Sequence, residues 1–212
     1  MLSNPVSYHY NLRALLIALR EWVLDGKAPP RSRYPTIAAN TLVAPDPATF
    51  GFPRIPGVNF SGLHGRHTQY DRGPIFNAAD LSGIADEPPR AVRHSTVLVP
   101  RVDSDGNAID GVRSVTVQAP LGTYLGWNLR AAGFSEGDMC GNAGSFIPFA
   151  VSKKERMRTG DPRLSLEERY GTQVGYVAAV IKAAEDLVGE RLMLSEDVAG
   201  VVEAARASKV FQ

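Results

Sequence analysis

Seven prolines between positions 29 and 56 constrain this chain more than any other feature: Pro29, Pro30, Pro35, Pro45, Pro47, Pro53 and Pro56. Each fixes φ and removes a backbone donor, so no long helix and no central strand can run through them. The stretch is not low-complexity, because Tyr34, Phe50, Phe52, Ile55, Val58 and Phe60 are scattered through it. From Ala28 to about Arg93 we expect an extended, ordered wrap over a neighbouring surface, with the aromatics as anchors. A structureless loop of that length would be unusual in a compact domain.

Regular structure is expected on either side of the wrap. Leu12, Leu15, Leu16, Leu19 and Val23 recur at helical spacing, with Arg13, Arg20 and Glu21 mostly off that stripe. Asp25-Gly26 ends this helix, glycine supplying the backbone freedom that a helix terminus needs. A β-hairpin is expected around the turn 103–107, with Val97 and Val99 before it and Val112, Val115 and Val117 after it. Residues 122–148, with glycines at 122, 126, 133, 137, 141 and 144, read as a loop. Ser165 with Glu168 matches a capping box that Gly171 closes off. A longer helix from about Gln173 to Leu192 carries Val174, Val177, Ala178, Ile181, Ala184, Leu187 and Val188 on one side. A last helix follows Ser195, with Glu196 and Asp197 at its N-terminal dipole and Val198, Val201, Val202 and Ala205 on its apolar face.

Composition narrows the function classes. At 212 residues the chain has the size of one domain. Its 23 basic and 22 acidic residues leave a net charge of +1, and no basic stripe carries interleaved aromatics, so no nucleic-acid partner is expected. The lone Cys140 cannot form an internal disulfide. No apolar run approaches the roughly 18 residues of a membrane helix, and no secretion signal opens the chain, so a cytoplasmic protein without a membrane partner is expected.

The candidate chemistry is sparse. Asp103, Asp105, Asn107 and Asp110 resemble a cation loop, but the glycine falls fourth rather than sixth, so a hairpin turn is favoured. His64, His67 and Asp71 lie close in sequence and read as polar loop residues before they read as zinc ligands or general bases. Cys140 as a nucleophile would need a histidine beside it in space. Gly141-Asn-Ala-Gly-Ser145 and Gly122-Thr-Tyr-Leu-Gly126 lack the phosphate-loop lysine and the dinucleotide spacing, and no cofactor or metal is expected. The charged run 153–158 reads as a solvated helical face. In Gly126-Trp127-Asn128-Leu129-Arg130, a tryptophan beside an amide and a guanidinium is equipped to line a pocket or interface, or to anchor its loop to the core. Trp127, Asn128, Arg130, His64 and His67 are the substrate or interface candidates.

Several of these segments together resemble the C-terminal region of a bacterial family described as "alpha/beta hydrolase domain" proteins. They are Asn4-Pro5 with Leu12-Arg-Ala-Leu-Leu-Ile-Ala-Leu19, Phe52-Pro-Arg-Ile-Pro-Gly57, Val99-Pro-Arg-Val-Asp103 and Asp105-Gly-Asn107. Pro120-Leu-Gly-Thr-Tyr-Leu-Gly-Trp-Asn-Leu-Arg130, Gly144-Ser-Phe-Ile-Pro-Phe149 and Asp161-Pro-Arg-Leu-Ser-Leu-Glu-Glu-Arg-Tyr-Gly171 complete the match. The resemblance implies an α+β chain: the terminal helix of an α/β-hydrolase-like fold in 1–27, an irregular segment with a β-hairpin in 28–150, and a helical tail in 151–212. It implies a serine ester hydrolase whose nucleophile and histidine base precede the segment matching Asn4-Pro5. No Gly-x-Ser-x-Gly nucleophile turn is expected anywhere in the 212 residues, an expectation corrected below.

Three readings stay open. The chain completes a hydrolase site supplied elsewhere, is a non-catalytic binding or structural module, or is an enzyme through a local pair such as Cys140 and a histidine. The first expects Leu12, Leu15, Leu16 and Leu19 to face a partner, either the missing catalytic half or another protomer.

Overall fold

The computed structural model describes residues 1–60, 65–140 and 143–211. In chain order the elements are β1 (Leu2–Ser3), α1 (His9–Asp25), β2 (Leu42–Val43), α2 (Pro47–Phe50), β3 (Thr68–Asp71), β4 (Arg90–His94), β5 (Val99–Pro100) and α3 (Val115–Gln118). There follow β6 (Gly122–Leu125), β7 (Asn128–Leu129), β8 (Met139–Cys140), β9 (Ser145–Pro148), α4 (Lys153–Thr159), α5 (Leu166–Tyr170), α6 (Gln173–Gly189) and α7 (Val198–Ala207). Helices and small antiparallel sheets are mixed, an α+β arrangement.

The core lies along α6. Tyr176, Val180, Ala183, Ala184 and Leu187 form its buried face and meet Val115 and Ala119 of the α3 region, Ala205 of α7, and Leu192 and Met193. Val174 and Ala178, expected on that face, are exposed instead, because both lie outside the stripe of Tyr176, Val180, Ala183, Ala184 and Leu187 that α3 and α7 cover. The helix stops at Gly189, short of Leu192. Arg191 adopts φ 60°. The Leu192 N–H then reaches Leu187 O at 2.8 Å and the Arg191 N–H reaches Val188 O at 2.9 Å, a Schellman closure. The capping box forms as expected, with the Ser165 hydroxyl on the Glu168 N–H and the Glu168 carboxylate on the Ser165 N–H.

Two expectations about strands need correction. The segment 122–148 is not a loop throughout: β6 and β9 pair antiparallel, and β1 joins the far edge of β9 to give the order β1-β9-β6. Between the glycines, Thr123-Tyr124-Leu125 and Phe146-Ile147 are ordinary strand formers, and they supply the paired strands. The turn at 103–107 is real, closed by the bridge between Val102 and Ala108. Its flanks do not pair as drawn, however. Val99 pairs with Val43 in β2, and Val115 and Val117 belong to α3, where packing against α6 outweighs their β preference.

The proline-rich wrap contains more local structure than expected. Asp46 caps α2 with Pro47 at its first position, and β3 and β4 form an exposed two-stranded ribbon. Phe50 and Ile55 are buried anchors, whereas Tyr34 is exposed. Among the described residues no helix is long and apolar enough to cross a membrane.

Candidate functional site

Helix α1 is turned inside out. Its buried residues are Asn11, Ala14 and Ala18. Leu12, Leu16 and Val23 are 64%, 66% and 72% exposed, and Leu15, Leu19 and Trp22 are exposed beside them. At about 100° per residue, these six side chains and Tyr8 fill an arc of about 120° on the side away from the alanines. The inner face is secured by polar ties. Asn11 Nδ2 donates to Leu192 O at 2.9 Å, Arg13 pairs with Glu196 and Asp197, and Arg191 pairs with Glu21 at 2.6 Å. Small residues face the body and leucines face outward, which leaves an apolar surface of the kind that marks an interaction site.

The second apolar surface is a cleft of about 410 Å³ around Trp127. Phe50, Phe52 and Phe60 form its aromatic wall, with ring centroids 5.4–6.0 Å apart and tilted. Trp127 lies 6.4 Å from Phe52 and 5.9 Å from Phe60. Tyr124, Val102 and Met139 close the other sides.

This cleft rests on a braced turn. Asp103 Oδ1 accepts from the Asp105 and Asn107 N–H groups at 3.0 Å each. The Asn107 side chain is 1% exposed in the residue as a whole and bridges Gly122 O and the Tyr124 N–H. Gly106 has φ 78°, and a Cβ there would lie 2.9 Å from Thr123 and 3.2 Å from Phe52, so only glycine lets the turn close on the wall. Beneath it, Asp105 pairs with Arg169, whose guanidinium lies 4.2 Å above the Phe149 ring. Burial pushes the Asp105 carboxyl up, and Arg169 opposes that shift. Arg163, 2% exposed, pairs with Asp161 and donates to Thr123 Oγ1, Ile147 O and Pro148 O. Burial raises the Asp161 carboxyl, but Arg163 outweighs it and holds it below the usual carboxylate range. Burial raises the Tyr124 hydroxyl to about 12, and it accepts from the Leu121 N–H.

The sequence candidates do not converge. Trp127 lines the cleft. Asn128 is instead a clamp, its Nδ2 donating to Met1 O at 3.3 Å and Gly144 O at 3.4 Å. Arg130 is exposed at the foot of the β7–β8 loop. His67 is exposed on the β3–β4 ribbon beside Arg66, Thr68, Tyr70 and Arg72, in a different depression. His64, Gly141 and Asn142 lie outside the described residues. Cys140 is half-buried opposite Asn128, and no hydrogen bond among the described residues joins it to a histidine. No group of three or more His, Cys, Asp or Glu suited to a metal ion occurs among the described residues. The run 153–158 lies in α4, which buries no residue.

Two serines escaped the sequence reading. Gly133-Phe134-Ser135-Glu136-Gly137 is a Gly-x-Ser-x-Gly match, and its regular pattern was the signal that should have found it. Ser135 has φ 58°. The match lacks its structural context, because it caps a strand–loop–strand hairpin between β7 and β8 rather than a strand-to-helix turn. Ser135 is exposed, and its hydroxyl has no hydrogen-bond partner among the described residues. The other serine is Ser7, whose Oγ lies 2.7 Å from His9 Nδ1. Both residues are exposed, and among the described residues no carboxylate hydrogen-bonds the His9 ring. That leaves a local pair at the start of α1 without the orienting third group that activates a nucleophile.

A family model described as "Alpha/beta hydrolase domain" matches residues 2–203. The chain belongs to this family. No curated protein and no solved structure matches it.

Proposed function

We propose that this chain is the accessory part of a serine ester hydrolase, with the nucleophile and histidine base supplied by residues outside it. The observation that carries this reading is the outward leucine face of α1. In this reading the catalytic part covers that face, and the exposed Leu12, Leu15, Leu16 and Leu19 are the contact residues. Family membership supports the hydrolase lineage. The exposed settings of Ser7, beside a His9 that no described carboxylate orients, and of Ser135 support a nucleophile elsewhere. A second reading, a non-catalytic binding module, is favoured by the aromatic cleft, whose lining contains no nucleophile among the described residues.

The test is a fluorophosphonate probe and a short-chain nitrophenyl ester applied to the purified 212-residue chain, with any label located by mass spectrometry. The expected result is no stoichiometric label and no turnover. Stoichiometric labelling of Ser7 or Ser135, with ester turnover lost in Ser7→Ala or Ser135→Ala, overturns the proposal. The coding sequence adjoining Met1 separates the two readings. A strand-rich segment with a nucleophile serine and a late histidine supports the hydrolase part, and unrelated sequence supports the module.

A further inference from the structure

The cleft around Trp127 has a chemistry of its own. We infer that it is a binding site for an uncharged molecule carrying one or two aromatic rings. Its volume of about 410 Å³ is within the roughly 300–1,000 Å³ of small-molecule sites, and well above the ~150 Å³ that accepts a single benzene. The four wall rings meet at tilts of 35–60°, so they offer both faces and edges inward. A planar ligand can therefore make offset and edge-to-face contacts in the same site. Met139 adds an adaptable thioether wall.

The described lining selects a neutral ligand. Among the described residues, no Asp, Glu, Lys or Arg lines the cleft. Of the acidic groups in the turn behind the wall, Asp105 is paired with Arg169 and Asp103 with Arg113. A carboxylate or sulfonate seated here would lose hydration and gain no counter-charge. The site is also preorganised. Gly106, Asn107 and Thr123 lock the turn against Phe52 and β6, so a ligand need not order the wall as it binds.

The chain has two tryptophans, and they report on different surfaces: Trp22 on α1 and Trp127 in the cleft. In a Trp22→Phe variant only Trp127 remains. Titration with N-phenyl-1-naphthylamine is expected to quench Trp127 saturably, with one site per chain. Ala108→Phe, which fills the cleft from its half-buried rim, is expected to weaken binding at least tenfold while the thermal unfolding midpoint stays in place. The same ring system bearing a sulfonate, 8-anilinonaphthalene-1-sulfonate, is expected to bind at least tenfold more weakly to the unfilled cleft, a comparison that needs no cleft substitution. Absence of saturable quenching, equal affinity for the two probes, or binding lost in Leu16→Glu/Leu19→Glu but kept in Ala108→Phe each overturns the inference. Binding is read without turnover, so a serine label elsewhere on the chain overturns the proposed function and leaves this site standing.

Discussion

The outer face of α1 and the cleft around Trp127 are both apolar and both open, yet they are built in opposite ways. The first is convex and aliphatic apart from Tyr8 and Trp22. It is backed only by two alanines, an asparagine and ion pairs at the body. The second is concave and aromatic, and it stands on buried ion pairs and a hydrogen-bonded turn. A convex strip cannot surround a small molecule, so only a second extended surface can cover it. A concave, braced site can enclose a ligand. The difference teaches that exposed apolar area has no single meaning. What lies behind it decides whether it awaits a protein or a small molecule.

The largest test of this contrast is Arg169→Leu. It leaves Asp105 buried without its partner, and breaking a buried pair in this way costs about 3–5 kcal/mol. Urea unfolding is expected to show that loss, and the neutral naphthylamine probe should bind more weakly as the 103–107 turn loosens. A loss below about 1 kcal/mol would place Arg169 among ordinary surface ions and remove the brace from the comparison.

Next in size is Ala18→Leu, on the inner face of α1. Adding bulk to a close-packed contact costs about 1–3 kcal/mol, although leucine is at home everywhere on the helix's other side. A neutral result in thermal unfolding would show that α1 lies loosely on the body.

Strong acid should weaken the α5 side of the cleft. Hydrogen bonds from Arg156, then from the Ser165 backbone and hydroxyl, hold Glu168 at about 2, below its ordinary value of 4.5. A depressed folded-state value means that the stabilisation is complete above pH 4.5 and is lost as pH falls through about 2. Glu168 sits in α5, one residue before the Arg169 that braces Asp105. Glu168→Gln is therefore expected to flatten the pH dependence of unfolding in that window. An unchanged profile would show that this carboxylate does not report on the α5 side.

Much of the helical structure was legible in the sequence. The 11–23 stripe, the Ser165 capping box and the long helix from Gln173 all follow local rules, and each formed close to where those rules put it. The glycine turn at 103–107 was legible for the same reason. The sheet was not. β6 and β9 are more than twenty residues apart in sequence order, and the glycine count between them masked two short strand-forming runs. Val115 and Val117 carry a β preference that only the packing of α3 on α6 overrides. Trp127 was singled out, but the phenylalanines that complete its cleft come from the proline-rich wrap, and no spacing rule joins position 52 to position 127. Ser135 is legible as a Gly-x-Ser-x-Gly pattern in the sequence alone. Its setting in a hairpin could be known only from the fold.

The smallest expected effect is the sharpest test of the α1 face. Leu16→Glu with Leu19→Glu should change monomer stability by no more than about 0.5 kcal/mol, because exposed substitutions rarely do more. The carboxylate introduced by Leu16→Glu would even lie one turn before Arg20, a spacing that favours opposite charges by about 0.2–0.5 kcal/mol. Association is a different quantity. If a hydrolase core covers this face, two carboxylates in the contact must be desolvated without partners, and complex formation should fall by orders of magnitude while the unfolding midpoint stays fixed. A large drop in the unfolding midpoint of the monomer would mean that these leucines are buried within a single chain in solution. The outward face, and the proposal built on it, would then fail together.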